Sequence, residues 1–308
     1  MIALSHIVQA LSEQPQTPLE LARGLKCSPE KIQKLLQVAQ DLGYPILSSA
    51  AGYTLECGTP APSNVSRFLR GSFGHSYTYL GTLDSTQNLA RFQAKRGIGQ
   101  GAVVLAERQT RGRGRRGRSW TSGRGLYFSL VLQNENLALD RLPLLSLAVG
   151  VALHAACGVG KLKYPNDLLA PDGRKLAGVL LEASVRGSRV QYVVVGIGLN
   201  THKPDHLPPH VAALEAFQPN RRDQLLAGLL YRLEQGFRQS PESILEHWRA
   251  NNCTLGSFVQ ISTRLGRLEG VAQDIDASGV LSIETTSGIQ RVQADEVEWI
   301  HHWQGDET

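Results

Sequence analysis

The residues with the most chemistry in them run from Gln109 to Arg118, Gln-Thr-Arg-Gly-Arg-Gly-Arg-Arg-Gly-Arg. Residues 111–118 hold five arginines separated by glycines, a flexible chain able to wrap an anion. Guanidinium forks bind carboxylate or phosphate through paired hydrogen bonds, and glycine lets the backbone come close. A disordered arginine–glycine tract binding nucleic acid is the bland alternative. Such tracts sit in long low-complexity segments, whereas a strand precedes this one and Trp120 with a further strand follows it. Gly112, Gly114 and Gly117 also spell G-x-G-x-x-G. A dinucleotide fold needs a helix straight after those glycines, and Ser119-Trp-Thr-Ser-Gly-Arg-Gly125 cannot supply one. No G-x-x-x-x-G-K-[S/T] phosphate loop occurs in the chain.

Three further segments offer polar groups. Lys163-Tyr-Pro-Asn-Asp167 is followed by Gly173-Arg-Lys-Leu-Ala-Gly178. Pro165 favours an extended approach and a turn, presenting the Asn166 amide beside the Asp167 carboxylate, suited to a ligand or a metal-bound phosphate. Lys175 opens an apolar strand, and a lysine aimed into a half-buried site is a point charge for developing negative charge. A turn with a solvated lysine is the other reading of this segment. Asp84-Ser-Thr-Gln-Asn88 suits a polar head group or a helix cap. Gly196-Ile-Gly-Leu-Asn200 puts glycines at a strand end, where a ligand could approach closely.

These segments need elements to hold them. Residues 4–57 read as three helices and a hairpin. Thr17 caps Pro18–Leu25, and Ser28 caps a helix with Pro29 first and Gly43 past its end. Ile32, Leu35, Leu36, Ala39 and Leu42 form that helix's apolar stripe. Gly58–Asn64 is a turn-rich linker. Strands and helices then alternate to Cys253: strands at Ala102–Glu107, Leu126–Leu132, Leu176–Glu182 and Gln191–Leu199, helices at Asp140–Cys157, Arg222–Phe237 and Pro241–Arg249. This is an α/β pattern. From Leu255 on, short strands at Phe258–Ile261, Leu268–Asp274, Val280–Thr285, Ile289–Gln293 and Val297–Ile300 suggest a small β-barrel.

Charge is unevenly spread. Residues 59–253 carry 25 Lys/Arg against 13 Asp/Glu, net +12, while residues 1–58 are net −1 and residues 254–308 net −6. The middle of the chain is therefore where a phosphate-bearing ligand or acidic partner belongs. Cys27, Cys57, Cys157 and Cys253 form no C-x-x-C pair and read as reduced thiols of a cytoplasmic protein. The N-terminus has no basic leader or cleavage site. The longest apolar stretch, about 15 residues at 142–156, falls short of a membrane span.

Together these segments resemble the biotin–protein ligases of the bacterial bifunctional ligase/repressor type. The family's G-R-G-R-R-G-R-x-W stands intact at Gly112–Trp120. Its K-W-P-N-D stands at Lys163–Asp167 with Tyr164 for Trp, its R-K-x-x-G-[I/V]-L-x-E at Arg174–Glu182, and its G-x-G-x-N at Gly196–Asn200. The likeness runs along essentially the whole chain. It implies a winged helix-turn-helix domain at 1–58, a linker at 59–65, a catalytic α/β (α+β) domain with a mixed sheet of the biotin/lipoate ligase type at 66–253, and a small SH3-like β-barrel at 254–308. It also implies a two-step reaction. Biotin's carboxylate attacks the α-phosphate of ATP to give biotinyl-AMP. A lysine of the biotin carboxyl carrier protein of acetyl-CoA carboxylase then takes the biotinyl group.

By the same resemblance Lys175 and Arg115 are catalytic. Ser85, Thr86, Gln87, Gln109, Arg113, Gly114, Arg115 and Lys175 bind biotin. Arg118, Trp120, Asn166, Asp167, Lys175 and Asn200 serve the nucleotide, with Mg2+ held by phosphates near Asp167 and no protein cage for it. Two positions depart from the pattern. The family has Asn directly after Ser-Thr where this chain has Gln87 before Asn88, and near residue 211 a tryptophan is common where this chain reads Val211-Ala-Ala-Leu214.

The winged helix would place Ser28, Lys31, Gln33, Lys34 and Gln37 on operator DNA, with biotinyl-AMP as corepressor and a homodimer through the sheet edge. Against that, residues 1–58 are not basic and Ser48–Gly52 of the wing has no Lys or Arg. The module reads equally as a support for the ligase. Two other readings are a small-molecule-sensing transcription factor without ligase activity, against which Lys175 and the arginine loop speak, and a lipoate–protein ligase, which would lack the arginine motif.

Overall fold

The computed structural model describes residues 4–133, 139–187, 189–203, 208–264 and 266–302. The chain opens with helices α1 (Leu4–Ala10), α2 (Pro18–Leu25) and α3 (Pro29–Asp41), then an antiparallel hairpin of β1 (Ile46–Ser49) and β2 (Gly52–Leu55). The helix starts fall where the sequence puts them. Thr17 Oγ1 accepts from the Glu20 amide while the Glu20 carboxylate accepts from the Thr17 amide at 2.7 Å, a capping box. Ser28 Oγ accepts from the Lys31 amide at 3.3 Å. Ile32, Leu36 and Ala39 are buried as the stripe requires, but Leu42 is 43% exposed, because it is the C-cap, where the backbone has left the helix. The expected linker contains a short helix, α4 (Pro62–Val65), which Pro62 starts with its preset φ.

Seven strands form one mixed sheet: β3 (Tyr77–Leu83), β4 (Val103–Gln109), β5 (Arg124–Leu132), β6 (Lys161–Lys163), β7 (Asp167–Leu169), β8 (Lys175–Arg186) and β9 (Arg189–His202). Their order is β3-β4-β5-β9-β8-β7-β6, with β3 and β4 parallel and every other neighbouring pair antiparallel. α5 (Thr86–Lys95), α6 (Leu142–Cys157), α7 (Arg222–Gly236) and α8 (Pro241–Ala250) pack around it. A second, five-stranded antiparallel sheet follows, of β10 (Phe258–Thr263), β11 (Gly266–Ile275), β12 (Leu281–Thr285), β13 (Gly288–Val292) and β14 (Trp299–His302), in the order β13-β12-β11-β10-β14.

The period-two alternation of strand side chains decides what each face of the large sheet meets. Val193, Val195, Ile197 and Leu199 of β9 join the core with α6 and α7. Tyr192 and Val194 point the other way, into a small core under α5 with Ala90 and Ala94. α5 is short, so it roofs only part of that face. Farther along β9 the same alternation brings Gly196, Gly198 and Asn200 to the unroofed part.

The N-terminal helices sit against the β3 edge. Tyr44 Oη donates to the Tyr79 carbonyl at 3.3 Å and the two rings meet edge to face. Glu13 pairs with Arg221 at 2.5 Å and Glu56 with Arg124. No helix among the described residues is long and apolar enough to cross a membrane.

Candidate active site

On the unroofed face lies a cavity of about 420 Å³. All the residues assigned to biotin or nucleotide by sequence line it: Ser85, Thr86, Gln87, Gln109, Arg113, Gly114, Arg115, Lys175, Arg118, Trp120, Asn166, Asp167 and Asn200. They come from six separate stretches of chain, so the fold converges what the sequence scatters.

The floor is glycine by necessity. Trp120 lies across β8 and β9, and a Cβ built on Gly198 would fall 2.5 Å from its indole, one on Gly178 3.0 Å. A Cβ on Gly196 would fall 2.8 Å from Gln87 Oε1. The G-x-G-x-N stretch is therefore a strand stripped of side chains where others must lie flat on it. The Lys175 ammonium sits 5.4 Å from the Trp120 ring centroid, within cation–π range, and forms an ion pair with Asp167 at 2.7 Å. The two side chains keep 29% and 24% exposure, so the pair faces the cavity. Tyr164–Asn166 makes the turn between β6 and β7, and the Asn166 amide donates to the Val179 carbonyl at 2.8 Å. Burial lowers the pKa of Lys163, against the pull of Asp167.

At the other end is a buried polar cluster. Gln109 Oε1 accepts from the Thr86 amide at 2.8 Å and from its hydroxyl at 3.1 Å. Ser129 Oγ lies 2.9 Å from Thr86 Oγ1 and 2.8 Å from Gln87 Oε1, and Gln87 Nε2 donates to the Val194 carbonyl at 3.1 Å. At the departure at 87–88, Gln87 reaches inward, while Asn88 turns out to Asp84 at 2.9 Å. Ser85 holds the N-cap position of α5 but makes no cap hydrogen bond. Its Oγ, like Trp120 Nε1, is buried without a partner. Orphans of this kind in a cavity are costly unless a ligand meets them.

The arginine loop is more ordered than a flexible tract. The Trp120 amide donates to the Gly112 carbonyl at 2.9 Å and the Gly114 amide to the Arg118 carbonyl at 2.7 Å, closing a hairpin tipped by a 3-10 turn at Arg115–Gly117. Arg113 pairs with Glu182 at 2.8 Å. Arg115 donates to Asn166 Oδ1 at 3.0 Å, and burial lowers its pKa.

Sequence reasoning missed Ser129, hidden in an apolar strand, and Trp299, which reaches the rim from β14 and is 41% exposed. Val211, where the tryptophan is missing, lines the same cavity. The DNA-assigned residues lie far along the chain from it: Ser28, Lys31, Gln33, Lys34 and Gln37 are exposed on and beside α3, with Gln37 bonded to Asp41 at 2.9 Å. No group of three or more His, Cys, Asp or Glu able to hold a metal occurs among the described residues.

A bare sheet face, ringed by cations and carrying orphaned polar groups, defines a protein that holds a polar, anionic small molecule. Residues 80–200 match the biotin/lipoate A/B protein ligase family. The chain is 35% identical over 241 residues to the biotin–[acetyl-CoA-carboxylase] ligase of Paracoccus denitrificans, a match spanning 71% of this chain and 98% of that protein. This chain belongs to the biotin/lipoate A/B protein ligase family. More particularly, it is similar to the bifunctional ligase/repressor BirA of Bacillus subtilis (strain 168), 29% identical over 303 residues, 91% of this chain and 92% of that one. Among solved structures it is similar to the biotin protein ligase from Aquifex aeolicus in complex with biotin and ATP. That likeness has 28% identity and a TM-score of 0.62, over 74% of this chain and 100% of that one.

Proposed function

We propose that this chain is an ATP-dependent biotin–protein ligase acting on the biotin carboxyl carrier protein of acetyl-CoA carboxylase. The observation that carries the reading is the meeting of Lys175, the arginine hairpin and the Gln87–Ser129–Thr86–Gln109 cluster around one cavity. A carboxylate attacking a phosphate brings two anions together, so cations must hold them, and phosphoryl transfer needs charge neutralisation more than covalent help.

Biotin's head group meets the polar cluster, and its carboxylate reaches Lys175. The carboxylate oxygen attacks the α-phosphorus, pyrophosphate leaves, and biotinyl-AMP remains. Lys175 offsets the charge that grows on the α-phosphate. Arg113 and Arg115 cover the adenylate, Arg118 takes phosphate, and Trp120, Asn166 and Asn200 hold the nucleotide over the glycine floor. Asp167 is the carboxylate that would stand beside a phosphate-bound Mg2+, which would supply further charge neutralisation. An acceptor lysine amine then attacks the acyl carbon and AMP leaves. Incubation with ATP, Mg2+, an apo acceptor domain and either biotin or lipoate tests this. A mass gain of one biotinyl group is expected, and its absence overturns the reading.

The same proposal divides the chain at 1–58, 59–65, 66–253 and 254–308, with residues 1–3 and 303–308 outside the described ones. It reads the N-terminal helices and hairpin as a winged helix and the C-terminal sheet as an SH3-like barrel. The exposed row Lys31, Gln33, Lys34 and Gln37 supports a second role, repression at a biotin-operon operator with biotinyl-AMP as corepressor and a homodimer as the binding species. The expected result is a salt-sensitive gel shift at micromolar protein once biotin and ATP are present. No shift leaves a ligase whose winged helix only supports it.

A further inference from the structure

Arg116 stands apart from the other arginines of the hairpin. Arg113, Arg115 and Arg118 line the cavity; Arg116 does not. It is also one of two non-glycine residues among the described ones with positive φ, at +55°, a conformation that costs an ordinary side chain free energy and persists where surroundings hold it. What holds it is the turn between β13 and β14. Arg116 Nη1 pairs with the Glu298 carboxylate at 3.2 Å, and Nη2 donates to the Asp295 carbonyl and to the Glu296 carbonyl at 2.9 Å. Arg115 donates to the Ala294 carbonyl and to the Val297 carbonyl at 3.2 Å, and Arg118 to the Glu298 carbonyl. Five successive carbonyls, 294 to 298, thus accept from three arginines of one hairpin. The turn is itself fixed, by the Gln293 amide on Glu296 Oε2 at 2.8 Å and the Glu298 amide on the Ser262 carbonyl at 2.8 Å, and it belongs to the part of the chain with net charge −6.

We propose that residues 294–298 are the dock of the arginine hairpin, and that Arg116 and Glu298 are positioning residues for the ligase reaction. Arg116 clamps the hairpin to the dock. Arg115 and Arg118 exchange neutral carbonyls for the ligand's anionic groups, which guanidinium binds more strongly. The carbonyls keep both guanidiniums satisfied and placed at the cavity rim, so the site closes on its ligand without first ordering a loose loop. The role of the exchanged arginines rests on the ligase reading above; the dock itself does not.

Two measurements on the full chain separate these. The first needs no ligand: the rate at which trypsin cuts after Arg113 and Arg118, followed by mass spectrometry. Arg116→Ala is expected to raise it about tenfold, the loss of a charge-assisted contact, and Glu298→Gln about threefold, since Glu298 is part-exposed. The second is the escape rate of biotinyl-AMP, expected to rise by similar factors. The double variant should be no faster than Arg116→Ala alone, because both act through one contact. Unchanged cutting in Arg116→Ala, or factors that multiply in the double variant, overturns the dock. Faster cutting in a chain that makes no biotinyl-AMP supports the dock and sinks the ligase reading instead. Unfolding midpoints should stay with the parent's, and a large fall for Glu298→Gln would make the contact structural and overturn the positioning role.

Discussion

Lys175→Ala is expected to cut biotinyl-AMP formation by about 10³-fold or more while the chain folds as before. The size follows from what is removed. Lys175 is the cation that pairs with Asp167 and overlies Trp120, in the cavity proposed to bring carboxylate and α-phosphate together. Without it, two anions approach each other beside an uncompensated Asp167. The fold should tolerate the change. The pair is part-exposed, so its stability contribution is about 1 kcal/mol or less. The backbone bonds at 175, from its amide to the His210 carbonyl at 2.9 Å and from the Ala212 amide to its carbonyl at 2.8 Å, do not involve the side chain. Biotin-dependent pyrophosphate release and a melting curve check both halves. Near-normal release would remove Lys175 from the chemistry.

The second large effect is expected at a residue with no side chain. In Gly198→Val the new Cβ would sit 2.5 Å from the Trp120 indole, and a fused ring wedged against the sheet has no flexible end to yield. The indole must leave the floor. If Trp120 carries the nucleotide as proposed, losing it from the floor should raise the KM for ATP roughly 10- to 100-fold, with an overpacking cost of about 1–3 kcal/mol in stability. Gly178→Ala should do less, since its Cβ would meet the ring at 3.0 Å and the movable end of Lys175 at 3.2 Å. ATP titrations of the two variants, followed by tryptophan fluorescence, test the ranking. An ATP affinity in Gly198→Val equal to the parent's would show that the indole is no part of the nucleotide floor.

Much of this site is legible in the residues alone. Arginine, glycine and lysine at short spacing announce anion chemistry, and the caps at Thr17 and Ser28 mark their helices because a side-chain oxygen next to a helical stripe has few other uses. The weaker signals are as instructive. α5 shows only as a cap, because the residues it buries are alanines and small polar groups that leave no apolar stripe. β6 and β7 have three residues each, too few to show a period. Ser129 looks like an interruption in an apolar strand until the fold brings Gln87 and Thr86 to it. The dock at 294–298 has no signal at all. Its acceptors are backbone carbonyls, which every residue possesses, and its partners lie about 180 positions away in the chain.

The polar cluster has a consequence for which cargo is refused. Gln87, Ser129, Thr86 and Gln109 are already locked to one another, and the Ser85 hydroxyl is left waiting. The family's two cargoes both end an aliphatic acid with a five-membered sulfur ring, but only biotin fuses a urea to it, with N–H groups flanking a carbonyl. A dithiolane would fill the same space and leave the Ser85 hydroxyl unanswered, at about 1–3 kcal/mol for a stranded group of that kind. Discrimination of this kind does not depend on a tight fit. It works through groups that the wrong guest leaves dry, which is how a pocket can tell two acids of similar length apart.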